Sequence, residues 1–136
     1  MSKFLRAFTL IVLALLVLAA CSPAKAALPN PYAPQSGDGS LVRDDLKIVD
    51  LQVVGTTLEI SYFLPTPCHH FRLAVSGPDA SQKITVDAYS LRKQDQVCTL
   101  MALATPMQAS LDLSGLPNGK YSVWVNGSLV GEATLP

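Results

Sequence analysis

The sequence predicts an all-β protein, a single antiparallel β-sandwich of about seven strands. Three observations carry this. Apolar and polar residues alternate over several short runs, the period of a strand with one buried face. Turn-forming residues separate those runs at short intervals: Gly55-Thr56, Pro65-Thr66-Pro67, Gly77-Pro78-Asp79 and Asn126-Gly127. Between the runs there is no helical period of useful length, which leaves a sandwich or small barrel as the way to bury the apolar faces.

In chain order, the first run is 46–54. Leu46 and Ile48 share one parity, and Val49, Leu51 and Val53 the other, so a register change is expected near Val49. After Gly55-Thr56, residues 57–64 put Leu58, Ile60 and Tyr62 on one face and Glu59 and Ser61 on the other; the two prolines then stop the strand. Residues 71–76 alternate again. In 83–91, Ile84, Val86 and Ala88 share a face, while Tyr89 and Leu91 take the opposite one. Residues 92–105 are irregular and hold Cys98. The run 107–113 follows, and then 121–126, with Tyr121, Val123 and Val125 on one side and Ser122, Trp124 and Asn126 on the other. Asn126-Gly127 is a type I′ hairpin signal because both central residues must accept positive φ, and 129–135 returns as the last strand.

The stretch Leu116-Pro-Asn-Gly-Lys-Tyr121-Ser-Val-Trp-Val125 resembles the penultimate strand of immunoglobulin-like and fibronectin-like sandwiches. The resemblance implies an immunoglobulin-like arrangement, with Tyr121 as a tyrosine corner bonded back to the loop before it. The inter-sheet disulfide of that group is absent, since Cys68 lies beyond the second strand and Cys98 in an irregular stretch.

The N-terminus has three zones: the cations Lys3 and Arg6, an uncharged apolar run from Phe8 to Ala20, and small residues before Cys21. This is the pattern of a secretory signal peptide, shorter than the roughly 20 apolar residues of a membrane span. Leu18-Ala19-Ala20-Cys21 resembles the lipobox of bacterial lipoprotein precursors. The resemblance implies a diacylglyceryl group on the Cys21 thiol, cleavage before it, and an anchor to the cell membrane or outer membrane facing the periplasm or exterior; Ser22 favours the outer one. Each buried methylene contributes roughly 0.8 kcal/mol, so two or more chains hold stably. Residues 1–20 are thus expected to be the signal peptide. Residues 21–40, rich in proline and ending Gly-Asp-Gly-Ser, are expected to be the lipidated cysteine and a flexible tether, and 41–136 the sandwich domain.

Ten basic residues balance ten acidic ones, but Lys3 and Arg6 fall in the expected signal, which leaves a net charge of −2 with neutral histidines. With no basic patch in the sequence, nucleic acid is not expected as a partner. In an exported chain, Cys68 and Cys98 are expected to pair. A bridge closing about 31 residues stabilises by roughly 3.5–4 kcal/mol in the chain-entropy view.

Cys68-His69-His70 is the one cluster of metal-ligating types. Neighbours in an extended chain point to opposite faces, so Cys68 and His70 share a face that His69 does not, and Met101 and Met107 are the available soft ligands. A disulfide consumes Cys68, however, so neither metal nor cofactor is expected. No G-x-S-x-G elbow and no paired carboxylates suited to glycoside hydrolysis are present, and both histidines adjoin Cys68; the expectation is a non-enzyme. Trp124, the sole tryptophan, reads as covering the second sheet or packing on a Lys or Arg stem, with a sheet-surface aromatic used in binding as the alternative. The function expected is a non-catalytic binding or structural module at a membrane surface. Its candidate recognition loop is Pro65, Pro67, His69 and His70, stiffened by two prolines and a bridge. A copper-binding protein and a protease inhibitor are the alternatives.

Overall fold

In the computed structural model, which describes residues 28–99 and 105–136, the alternating runs are strands and their apolar parity is the buried one. The expected signal peptide, Cys21, residues 22–27 and Met101 lie outside the described residues. The strands are β1 (Val42–Asp44), β2 (Lys47–Val54), β3 (Thr57–Phe63), β4 (His70–Ser76), β5 (Lys83–Arg92), β6 (Met107–Asp112), β7 (Gly119–Val125) and β8 (Ser128–Leu135). Seven of the eight match expected runs; the three-residue β1 is the addition.

Two sheets face each other: β2-β3-β6, and a larger one built on β5 with β1, β4, β7 and β8. Leu58 and Ile60 from β3 and Leu111 from β6 meet Leu73, Ile84 and Val123 from the larger sheet, all without solvent contact. Each such side chain stabilises the fold by roughly 1.5–3 kcal/mol relative to exposure. The parity change in β2 is a bulge. Ile48 pairs with Tyr62 and Asp50 with Ser61, so Val49 is left over and stands 50% exposed while Ile48, Leu51 and Val53 stay on the core.

Every strand pair is antiparallel except β5 with β7, which run parallel. The purely antiparallel expectation is corrected at that pair. Parallel neighbours need a crossover, and the excursion through β6 in the facing sheet supplies it. In the immunoglobulin arrangement the strand corresponding to β4 lies beside that corresponding to β7. Here β5 is inserted between them. The tyrosine corner is present: the Tyr121 hydroxyl donates to the Pro117 carbonyl at 2.8 Å.

β7 covers only the first part of one β5 edge, at Lys83–Val86, and β1 takes its last part, at Ser90–Arg92. Asn126 fills the gap. Its side-chain amide accepts from Ala88 N–H at 2.8 Å and donates to Ala88 C=O at 2.9 Å, standing in for a strand residue. Asn126 holds φ +48° and Gly127 φ +82°, the turn expected of this pair.

The free tether expected over 21–40 is not what residues 28–40 form: they lie on the sandwich. Tyr32 C=O accepts from Leu73 N–H at 2.8 Å on the open edge of β4. The Tyr32 N–H donates to Asn30 Oδ1 at 2.9 Å, and the Asn30 side-chain amide donates to Leu73 C=O at 2.8 Å in its place. Tyr32 packs edge-on against Phe71, with ring centroids 5.1 Å apart. Leu28 packs on the core and lies so close to Gly115 that a Cβ there would stand 3.1 Å from it. Asp38 then pairs with Arg72 on the outer side of β4, and β1 joins the opposite edge of β5. The chain therefore crosses the outer face of the β4–β5 hairpin. Tyr89 and Leu91, which face that way, are buried there, apart from the inter-sheet core.

Candidate functional site

The loop from Leu64 to His69 closes one end of the sandwich. Its prolines cannot continue a ladder, so the backbone turns, with His69 N–H donating to Thr66 C=O at 3.2 Å and Cys68 N–H to Thr66 Oγ1 at 3.3 Å. Cys68 is bonded to Cys98, whose Cα lies 6.0 Å away, which fixes the loop to the segment after β5.

His69 points inward between two partners: Thr66 Oγ1 lies 2.8 Å from Nδ1 and Asp44 Oδ2 lies 3.1 Å from Nε2. An ionised carboxylate only accepts, so Nε2 carries a proton, and Nδ1 shares a hydrogen bond with the Thr66 hydroxyl. Arg92 Nε donates to the same Asp44 oxygen at 2.7 Å, and the Ser90 hydroxyl donates to Asp44 C=O at 3.3 Å. Burial pushes the Asp44 carboxyl upward, but the hydrogen bonds from Arg92 and His69 outweigh it and hold it below the usual carboxylate range.

The order Thr66–His69–Asp44 is that of nucleophile, base and orienting carboxylate. Its surroundings argue for structure. Thr66 is buried and its oxygen already accepts the Cys68 N–H, while Asp44 is shared with Arg92. Shallow clefts lie elsewhere: one of about 200 Å³ between Gln82 and Lys120, and one of about 300 Å³ beside Tyr32 and Gln108.

Of the expected recognition loop, Pro65, Pro67 and His70 are exposed. His69 is not; at 6% exposure it is a buried clasp and leaves the recognition set. Val97, one residue before the bridge and 98% exposed, joins that end of the molecule. Sequence reasoning missed Thr66, Asp44 and Arg92 as one cluster. The adjacent carboxylates Asp44-Asp45 were the only signal in the sequence. Among the described residues no three His, Cys, Asp or Glu side chains stand together as metal ligands.

The outer face of the larger sheet carries its aromatics under cations. The Lys83 amine sits 4.1 Å above the Trp124 ring and the Arg43 guanidinium 4.1 Å above Tyr89, so of the two packing roles expected for Trp124 the one beside a cationic side chain is found. Arg43 also grips Asp87 with two bonds of 2.7 and 2.8 Å. Arg72 grips Asp38 through bonds of 2.8 and 3.1 Å. Together with the Gln35 N–H it holds the Asp38 carboxyl below its ordinary range.

Residues 58–135 match the family model of the ORF11 beta-sandwich domain, a description that names a fold and no activity. No curated protein matches the chain, and no solved structure does.

Proposed function

The chain belongs to the ORF11 beta-sandwich family, and from that premise we propose that it is a lipid-anchored module of a bacterial envelope that binds without catalysis. The anchor reading rests on Leu18-Ala19-Ala20-Cys21 at the end of a signal-like segment. One observation carries the binding reading. At the disulfide end, Thr66, His69, Asp44, Arg92 and both cysteines are spent on internal bonds, while Pro65, Pro67 and Val97 project into solvent. Polar groups so committed stiffen a surface, and a stiff surface recognises by shape at low entropic cost.

Two measurements test the two halves. Intact-mass analysis of protein extracted from the envelope is expected to show a chain that starts at Cys21 with a diacylglyceryl thioether; an unprocessed chain, or a bare Cys21, overturns the anchor. Val97→Asp and Pro67→Ala are expected to weaken co-purification of the envelope partner while thermal unfolding stays unchanged. Undiminished co-purification with both variants folded overturns the recognition role.

A further inference from the structure

Resting on the anchored reading, we propose that the turn end of the sandwich lies against the lipid bilayer and that the docked segment 28–40 sets this orientation. The turn end is the one formed by the 77–82 loop and by Ser114 to Asn118; the disulfide end is opposite. The N-terminal segment leaves the folded body at the turn end. Leu28 packs at Gly115, in the β6–β7 connection, while the bridge and Val97 lie beyond the other ends of the strands.

Chain reach then decides. From Cys21 to Leu28 is seven residues, at most about 25 Å when fully extended. Were residues 28–40 free as well, twenty residues would separate Cys21 from Leu41, with a reach of about 70 Å, and either end of the domain would meet the lipid equally. Docking through Asn30, Tyr32 and Asp38 removes that slack. The ten residues of β5 span about 33 Å, so the disulfide end is displaced outward by roughly the length of the sandwich. Asp79, Ser81, Ser114 and Asn118 are exposed polar groups of the turn end and Val54, Ala80 and Pro117 exposed apolar ones, a mixed surface that suits contact with headgroups. A partner for Pro65, Pro67 and Val97 then arrives from the side away from the lipid.

The test uses protein recovered from the envelope, its mass recording the state of Cys21, reconstituted into phosphatidylcholine vesicles that carry a dansyl headgroup acceptor. Trp124→Phe removes the native donor, and Asn118→Trp or Gln96→Trp supplies one at either end, with circular dichroism confirming the fold. Energy transfer from the Asn118→Trp protein is expected to exceed that from the Gln96→Trp protein severalfold. Equal or reversed transfer overturns the orientation. Adding Asn30→Ala and Arg72→Ala is expected to narrow the difference by freeing the segment; an undiminished difference in the folded variant overturns the role of docking. A bare Cys21 refutes the anchored reading alone, and coupling that thiol to maleimide lipid still measures which end faces the bilayer.

Discussion

At the disulfide end of the sandwich, the closing contacts join residues far apart in the chain: Asp44 with His69 and Arg92, 25 and 48 positions on, and Cys68 with Cys98 across 30. At the turn end the bonds within the loops are local, beside long-range backbone bonds from Leu113 N–H to Thr56 C=O and from Ser122 N–H to Gln82 C=O. Ser114 bonds to Asp112 two positions back and Tyr121 to Pro117 four back, and Gln82 N–H closes on Asp79 C=O. The difference is one of loop-closure entropy. A local bond forms in an otherwise loose chain and its loss costs little more than the bond itself. A long-range bond forms only once the sheets are assembled, and it restrains segments that would otherwise separate. A rigid end built from the second kind suits display, and the expected losses should fall from one end of the molecule to the other.

The sharpest test removes the bridge. Cys68→Ser with Cys98→Ser is expected to destabilise the protein by roughly 3.5–4 kcal/mol, read as a lower denaturation midpoint that reductant no longer shifts. A loss below about 1 kcal/mol would mean that the clasp around His69 holds that end without covalent help.

How each end showed in the sequence follows the same division. The bulge at Val49 appears as a break in parity, and the tyrosine corner as a short motif before Tyr121, because both are written within a few residues. The pairing of Cys68 with Cys98 was legible because, with Cys21 set aside as the expected lipid site, these are the two cysteines left. The Thr66–His69–Asp44–Arg92 cluster was not legible. Its members sit on three separate segments, and polar contacts between segments leave no period. The docked segment was hidden for a related reason. Asn30, Tyr32 and Asp38 are isolated anchors among prolines that signal extension, and extension is compatible with lying along an edge as well as with hanging free. The second role of Asn126, pairing with Ala88, lay behind its hairpin role and needed the parallel neighbour to be known.

Within the disulfide end, the two adjacent histidines part company. His69→Ala is expected to cost about 2 kcal/mol, because the Thr66 hydroxyl and one Asp44 contact lose their partner in a buried place. The exposed His70→Ala should fall within about 0.5 kcal/mol of the parent. Comparable losses from the two, measured by urea unfolding, would remove His69 from the clasp. At the turn end, Tyr121→Phe keeps the ring in the core and forfeits only the bond to Pro117 C=O, an expected loss of about 1 kcal/mol. A loss as large as that of the bridge would break the division between local and long-range closure.

Acid offers the finest comparison, because a carboxylate at each end is held below its ordinary value of 3.8. At Asp112 the cause is the Ser114 backbone N–H and then the Ser114 hydroxyl; at Asp44, Arg92 and His69 overcome the opposing effect of burial. A depressed carboxyl stabilises the fold fully above its unfolded pKa, and that stabilisation disappears as the pH falls through the folded one. The thermal midpoint is therefore expected to drop as the pH falls below about 4, through both groups. Their shares should differ. Protonating Asp44 weakens charge-assisted bonds that join β1, β5 and the loop before β4, whereas protonating Asp112 weakens chiefly the bonds from Ser114 within one turn, with a smaller one from Thr56, and the flanking strands stay paired. Asp44→Asn should flatten the acid slope of the midpoint more than Asp112→Asn does. Equal flattening would mean that partner distance along the chain does not govern what each carboxylate contributes, and the contrast between the two ends would then rest on the disulfide alone.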